Sequence, residues 1–161
     1  MGWNPEVTVA AIAEREGRFL MVEERISGRL VLNQPAGHLE DRETLIEAVV
    51  RETREESAWR LQPEALVGVY LWRNPDNERT FLRFAFCGQV DDHRPEQPLD
   101  TGIVRAVWLS HEQLLAQPGR LRSPLVLRCL EDYLLGSRQP LSTVATLRLE
   151  SALQVGAVVN L

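Results

Sequence analysis

Cysteine is nearly absent from this chain. Cys87 and Cys129 are the only two among 161 residues. They sit far apart, in apolar surroundings and without metal-ligand spacing, so the expectation is two reduced, buried thiols in a reducing compartment. Long apolar runs are missing as well: none approaches the ~20 residues that a membrane-spanning helix needs. The opening stretch MGWNPEVTVA lacks the basic region and apolar segment of a secretory signal, and Glu6 stands where a myristoylation signal has Ser or Thr. These absences lead to an expected cytoplasmic location with no membrane partner. Positive charge is in deficit too, with 18 basic against 23 acidic residues and a net charge of -5. That balance argues against a dedicated binder of nucleic acid polymers. It leaves room for a small phosphorylated ligand whose charge a metal ion would offset.

What is present is an ordinary globular mixture, 44% apolar and 25% charged, of a length that encloses one core. No internal repeat or low-complexity segment interrupts it. VTVAAIAEREGRFLMVEERI is read as a hairpin turning at Glu16-Gly17, followed by a short strand from Leu30 to Asn33 that Pro35 and Gly37 stop. A helix is expected from about Glu43 to Ser57. ALVGVYLWR and TFLRFAFCGQV are strands joined by the turn-forming NPDNE, and VRAVWLS is another. DDHRPEQPLDTG is a loop with four carboxylates. HEQLLAQ is a short helix capped by Ser110, and SPLVLRCLEDYLL a longer one with Ser123 as N-cap and Pro124 in its first turn. Strands and helices interleave without strict alternation, which predicts an α/β (α+β) fold with a mixed sheet and helices on both faces. The expected layout is one domain over 1–137 and a C-terminal extension, 138–161, without a clear period.

The expected helix poses the main question. A helix advances about 100° per residue; with Glu52 at zero, Leu45 lies at about 20°, Val49 at about 60°, Glu56 at about 40° and Glu55 at about 300°. Three carboxylates therefore continue the apolar stripe. Arg51, Arg54, Glu43 and Glu47 occupy the opposite, solvated arc, where Glu47 and Arg51 have ion-pair spacing. Inward carboxylates converging near a helix C-terminus are costly unless a cation neutralises them. Hard divalent ions prefer carboxylate oxygens and keep positions open for water and phosphate, so metal binding is favoured over a surface acidic cluster.

The spacing goes further. Gly37, five residues, Glu43, seven residues, then RETREE and one residue before Ala58-Trp59 closely resembles the Nudix signature, with every charged position matched. Thr53 replaces an aliphatic, and its hydroxyl can bond back to the preceding turn. Ala58 replaces a glycine, at roughly 1 kcal/mol for a left-handed conformation. Segments such as LNQPAGHLE, FLRFAF and RSPLV are similar to the NudJ-type branch of bacterial phosphatases, over about residues 6 to 141. That branch acts on thiamine pyrophosphate, its pyrimidine diphosphate precursor and nucleoside di- and triphosphates.

The resemblance implies a Nudix-like α/β/α sandwich and hydrolysis of a phosphoanhydride by water. It implies Mg²⁺, with Mn²⁺ as an alternative, held by Glu52, Glu55 and Glu56 together with a backbone carbonyl near Ala36 and Gly37. Glu55 is the favoured proton acceptor, with Asp91, Asp92, Glu96 and Asp100 as competitors. Arg51 and Glu43 belong to the catalytic set as scaffolding rather than as ligands. Arg83 is a candidate for phosphate and Trp72 or Tyr70 for a flat ring, although an arginine on a strand is ordinarily a surface residue and the two aromatics ordinarily pack in a core. His38 is expected to bond to its loop neighbours, and RSPLV offers a helix N-terminus to an anion. Rival expectations are another nucleoside diphosphate derivative as substrate, or a binding domain without catalysis. Monomer and homodimer are both compatible with the sequence.

Overall fold

A computed structural model describes residues 2–147. In chain order it comprises β1 (Glu6–Ile12), β2 (Glu14–Arg15), β3 (Arg18–Ile26), β4 (Arg29–Asn33), β5 (Ala36–His38), α1 (Leu45–Ser57), β6 (Arg60–Arg73), β7 (Thr80–Asp91), β8 (Ile103–Ser110), α2 (His111–Leu115) and α3 (Leu125–Leu134). Two sheets form. The first runs β5-β1-β7-β6, and the second holds β2, β3 and β4 with β8 on the free side of β3.

The expected first hairpin is divided between these sheets. β2 and β3 make the tight turn, but β1 leaves them to pair antiparallel with β5 and parallel with β7. The reason is burial: Val9, Ala10, Ala11 and Ile12 are all enclosed, so β1 needs covered neighbours on both faces, as parallel strands do. On one face Val9, Ala11 and Phe86 meet Ala48 and Val49 of α1. On the other, Ile12, Ala85 and Cys87 meet Val126, Cys129 and Leu130 of α3. The first sheet is thus mixed, with helices on both faces, and both cysteines are buried free thiols.

Helix boundaries follow capping chemistry. α1 starts two residues later than expected because Thr44 caps it: Thr44 Oγ1 accepts from Glu47 N at 3.0 Å, and Glu47 Oε2 accepts from Thr44 N at 2.9 Å. α2 repeats the device with Ser110 and Gln113. For α3 the cap position falls to Pro124, and Ser123 Oγ accepts from Leu125 N at 3.2 Å from just outside. Thr53 donates to Val49 O at 2.7 Å. Ala58 takes the left-handed conformation itself, φ 61° and ψ 11°, so the helix end keeps its shape at a cost of about 1 kcal/mol relative to Gly.

Past α3, Gln139 exchanges backbone hydrogen bonds with Leu66 on β6, and Leu141 and Val144 pack against the α1-side core. The rest of the expected extension, 148–161, lies outside the described residues. No described helix is long and apolar enough to cross a membrane.

One ion network, centred on a buried glutamate with exposed arginine partners, ties β3 to β8. Glu23, 7% exposed, accepts from Arg105 on β8 at 2.7 Å and from Arg120 at 2.9 Å. Those hydrogen bonds hold its carboxyl below the ordinary glutamate value. A depressed folded pKa stabilises above the unfolded value, and the contribution is lost as pH falls through the folded value. Glu23→Gln is therefore expected to cost about 2 kcal/mol at pH 7. In urea melts taken at successive pH values, the gap to wild type closes below the ordinary glutamate range of about 4.3; a gap independent of pH would show that charge is not its source.

Candidate active site

The acidic end of α1 lies against β5. Gly37 sits on this strand, paired with Val9 of β1. A Cβ at position 37 would lie 2.1 Å from both Cδ and Oε1 of Glu52, so the missing side chain is the space the carboxylate occupies. Glu52 itself is 7% exposed. Burial raises its pKa, against the hydrogen bond from Arg51. Glu56, one turn on, points to the same strand and accepts from Ala36 N at 3.1 Å. Burial pushes its carboxyl up to about 9, opposed by the Ala36 hydrogen bond and reinforced by the negative charges of Glu52, Glu24 and Asp100.

The structure gathers a set slightly different from the three box glutamates. Carboxylate oxygens of Glu52, Glu55 and Asp100 all lie within 4.8 Å of one another, whereas Glu56 is turned toward Ala36. Asp100 reaches them because its loop completes the C-terminus of α1. Arg94 N donates to Ala58 O at 3.0 Å, Gln97 Nε2 to Arg54 O at 2.7 Å, and Asp100 N to Glu55 O at 3.0 Å. Carbonyls that any helix end leaves without intrahelical partners thereby fix the loop. The other loop carboxylates go elsewhere. Asp91 pairs with Arg60, Asp92 with Arg54 and Arg94, and Glu96 stays exposed. An all-oxygen donor set with a backbone cradle fits a hard divalent ion.

Arg51 is not opposite this cluster, as the wheel had it, but alongside. Its guanidinium donates to Glu43 at 2.6 and 3.0 Å, to Glu52 at 2.8 Å, to Glu55 at 3.1 Å and to His38 O at 3.0 Å. A long arginine reaches around the helix further than its Cα angle suggests. Glu43, its pKa lowered chiefly by Arg51, anchors the arginine from just before α1. His38 reaches across to Glu6 at 2.7 Å.

Glu52 and Glu56 open into a cavity of about 430 Å³ that Gly37, Trp72, Phe81, Arg83, Arg122 and Ser123 also line. Arg83 corrects the surface expectation: it is 5% exposed, on the α3 face of β7. Its register partners Thr8 and Tyr70 flank it on β1 and β6. Trp72 is half-buried and stacks on Phe81 at 5.7 Å. Tyr70 lies outside this cavity; it packs in the core and donates to Asp132 at 2.8 Å. Sequence reasoning missed Phe81 and Arg122. The alternation in TFLRF, which puts Phe81 and Arg83 on one face, was the available signal for the first.

A mixed sheet flanked by helices, with a glutamate-bearing helix end set against a glycine strand, defines a Nudix hydrolase, and the chain belongs to that family: the NUDIX domain model matches residues 3–128. Among curated relatives, Phosphatase NudJ of Escherichia coli strain K12 is 44% identical over 142 residues, which cover 88% of this chain and 92% of that protein. Phosphatase NudJ of Shigella flexneri gives the same figures. Among solved structures, a NUDIX hydrolase from Nitrosomonas europaea has a TM-score of 0.88 at 46% identity, covering 89% of this chain and 98% of that one. A UDP-X diphosphatase, with a TM-score of 0.69 at 18% identity, shares the fold alone.

Proposed function

We propose that the chain is a divalent-metal-dependent phosphohydrolase of small pyrophosphates: thiamine pyrophosphate, its pyrimidine diphosphate precursor, and nucleoside di- and triphosphates. The observation that carries this reading is a single cavity in which carboxylates of α1 face a buried arginine and an aromatic ledge. Likeness to Phosphatase NudJ supports the same substrate class. Mg²⁺, or Mn²⁺ in its place, would be held by Glu52, Glu55 and Asp100, with Glu56 and the backbone near Gly37 adjoining. When bound, such an ion offsets phosphate charge and lowers the pKa of a bound water.

The chain's own residues do the rest. Arg51, fixed by Glu43, holds Glu52 and Glu55 in register. Glu55 is engaged by Arg51 through Oε2 and takes the proton of the attacking water on Oε1. Trp72 receives the flat ring of the substrate. Residues 1–137 act as the catalytic unit, in the cytoplasm.

Hydrolysis of thiamine pyrophosphate, ADP and ATP, followed as phosphate release, and of ADP-ribose, followed as AMP and ribose 5-phosphate, each measured with Mg²⁺, with Mn²⁺ and with chelator, tests the reading. Metal-dependent turnover that is fastest on thiamine pyrophosphate or a simple nucleotide is expected. Metal-dependent binding with no turnover of any compound would mean a binding domain instead.

A further inference from the structure

Arg83 is a buried cation with poor partners. Its two terminal nitrogens reach the neutral amides of Gln34 Oε1 at 3.3 Å and Asn33 Oδ1 at 3.5 Å, the buried Cys129 thiol is its other polar neighbour, and its Nε has no hydrogen-bond partner among the described residues. No carboxylate pairs with it there. A guanidinium taken out of water without an ion pair costs several kcal/mol. The fold nevertheless invests in placing it: Gln34, 1% exposed, is pinned by its own bond to Val126 O at 2.7 Å.

A second cation converges on the same place. Arg122 lines the cavity from the rim, and its charge acts unfavourably on Arg83, while Glu56 across the cavity acts favourably. Ser123 and Leu125, at the start of the ten-residue α3, line the same wall. The positive end of that helix therefore adds to the field. Two mutually repelling guanidiniums and a helix N-terminus are complementary to an anion.

The surroundings set its size and position. Behind Arg83 the α3 face is closed by Ala85, Cys129 and Leu130, so a group seated on the arginine can extend no further inward. In the other direction, Phe81 is two residues away on the same face of β7, about 7 Å along the strand. Trp72 stacks on it, with Asn74, Asn77 and Arg79 around them. The cavity is thus polarised, with a closed cationic end and an open aromatic one.

We propose that Arg83, Arg122 and the first turn of α3 form a seat for the terminal phosphate of a diphosphate monoester, which makes the enzyme selective for substrates ending in a free phosphate over those carrying an organic group on both phosphates. This rests on the hydrolase reading above and assigns the residues that set its substrate class. A charge-assisted hydrogen bond is worth ~1.5–3 kcal/mol, or about 10- to 100-fold.

The test compares kcat/KM on ADP, whose terminal phosphate is free, and on ADP-ribose, whose phosphates are both substituted, for wild type, Arg122→Gln and Arg83→Gln. Calorimetric titration with inorganic phosphate accompanies it. Wild type is expected to favour ADP. Arg122→Gln is expected to lower the ADP value by about 10-fold and Arg83→Gln by about 100-fold, with the ADP-ribose value moving less than about 3-fold. Phosphate binding should weaken in both. Preference for ADP-ribose, equal losses on the two substrates, or unchanged phosphate binding would each overturn the seat. Because Arg122 is exposed, its variant decides the matter even if Arg83→Gln does not fold. Absence of all turnover in wild type would defeat the hydrolase reading, and the phosphate titrations would still decide the seat.

Discussion

Glu52→Gln is expected to lower metal-supported hydrolysis by about 1,000-fold while leaving the fold intact. The reasoning starts from position. Glu52 is the most buried carboxylate of the cluster, it contributes to the oxygen set with Glu55 and Asp100, and Gly37 is shaped around it. Glutamine keeps the volume but removes the negative charge and one strong donor oxygen, and metal-assisted catalysis is worth several kcal/mol, roughly 4 for a 1,000-fold effect. Stability should move the other way. Burial disfavours the charged carboxylate in the metal-free protein, so removing it is expected to hold or raise the melting temperature measured in chelator. Arg51 retains Glu43 and Glu55. Steady-state kinetics at saturating Mg²⁺ together with a chelator melt check both halves. Retention of more than about a tenth of wild-type kcat would remove Glu52 from the metal-binding role.

Gly37→Ala should reach a similar end by a different route. The added methyl would lie 2.1 Å from the Glu52 carboxylate, which must move. What yields is the far end of a flexible side chain, so the sheet survives. Displacement by an ångström or so in a catalytic group costs on the order of 100-fold. The expected outcome is a kcat about 100-fold lower and a weaker apparent Mg²⁺ affinity, with an unchanged circular dichroism spectrum. Combining the substitution with Glu52→Gln should add little, since both act on one carboxylate. Full additivity in that double variant would place the effect of Gly37 elsewhere.

What the sequence made legible was local. The wheel put Glu52 and Glu56 on the inner stripe, and periodicity alone does that, because α1 repeats every 3.6 residues whatever it packs against. Alternation in TFLRFAFCGQV gave β7 for the same reason. Non-local pairing was beyond reach. Nothing in VTVAAIA says that its neighbours are β5 and β7 rather than the strand after the next turn. The burial of Arg83 follows only from that register and from α3 lying over it. Asp100 stands nine residues beyond Asp91 at the end of β7, and joins Glu55 only because the loop between folds back onto the helix end. The capping box at Thr44 was in plain sight as Thr-x-x-Glu, although the helix expected from about Glu43 starts two residues later.

The position of β1 has a consequence for how the protein is made. This strand is synthesised before the other described strands and lies inside the first sheet, with β5 on one side and β7 on the other. Glu6 waits for Phe81 and Ile12 for Cys87, partners about 75 positions downstream. At about 5–20 residues per second, that is roughly 4 to 15 s during which an apolar strand has one edge unpaired. The loop that carries Asp100 emerges later still. Synthesis therefore passes through a stage with the glutamate helix already made and its sheet half closed, when a chaperone that shields strand edges would have most to do.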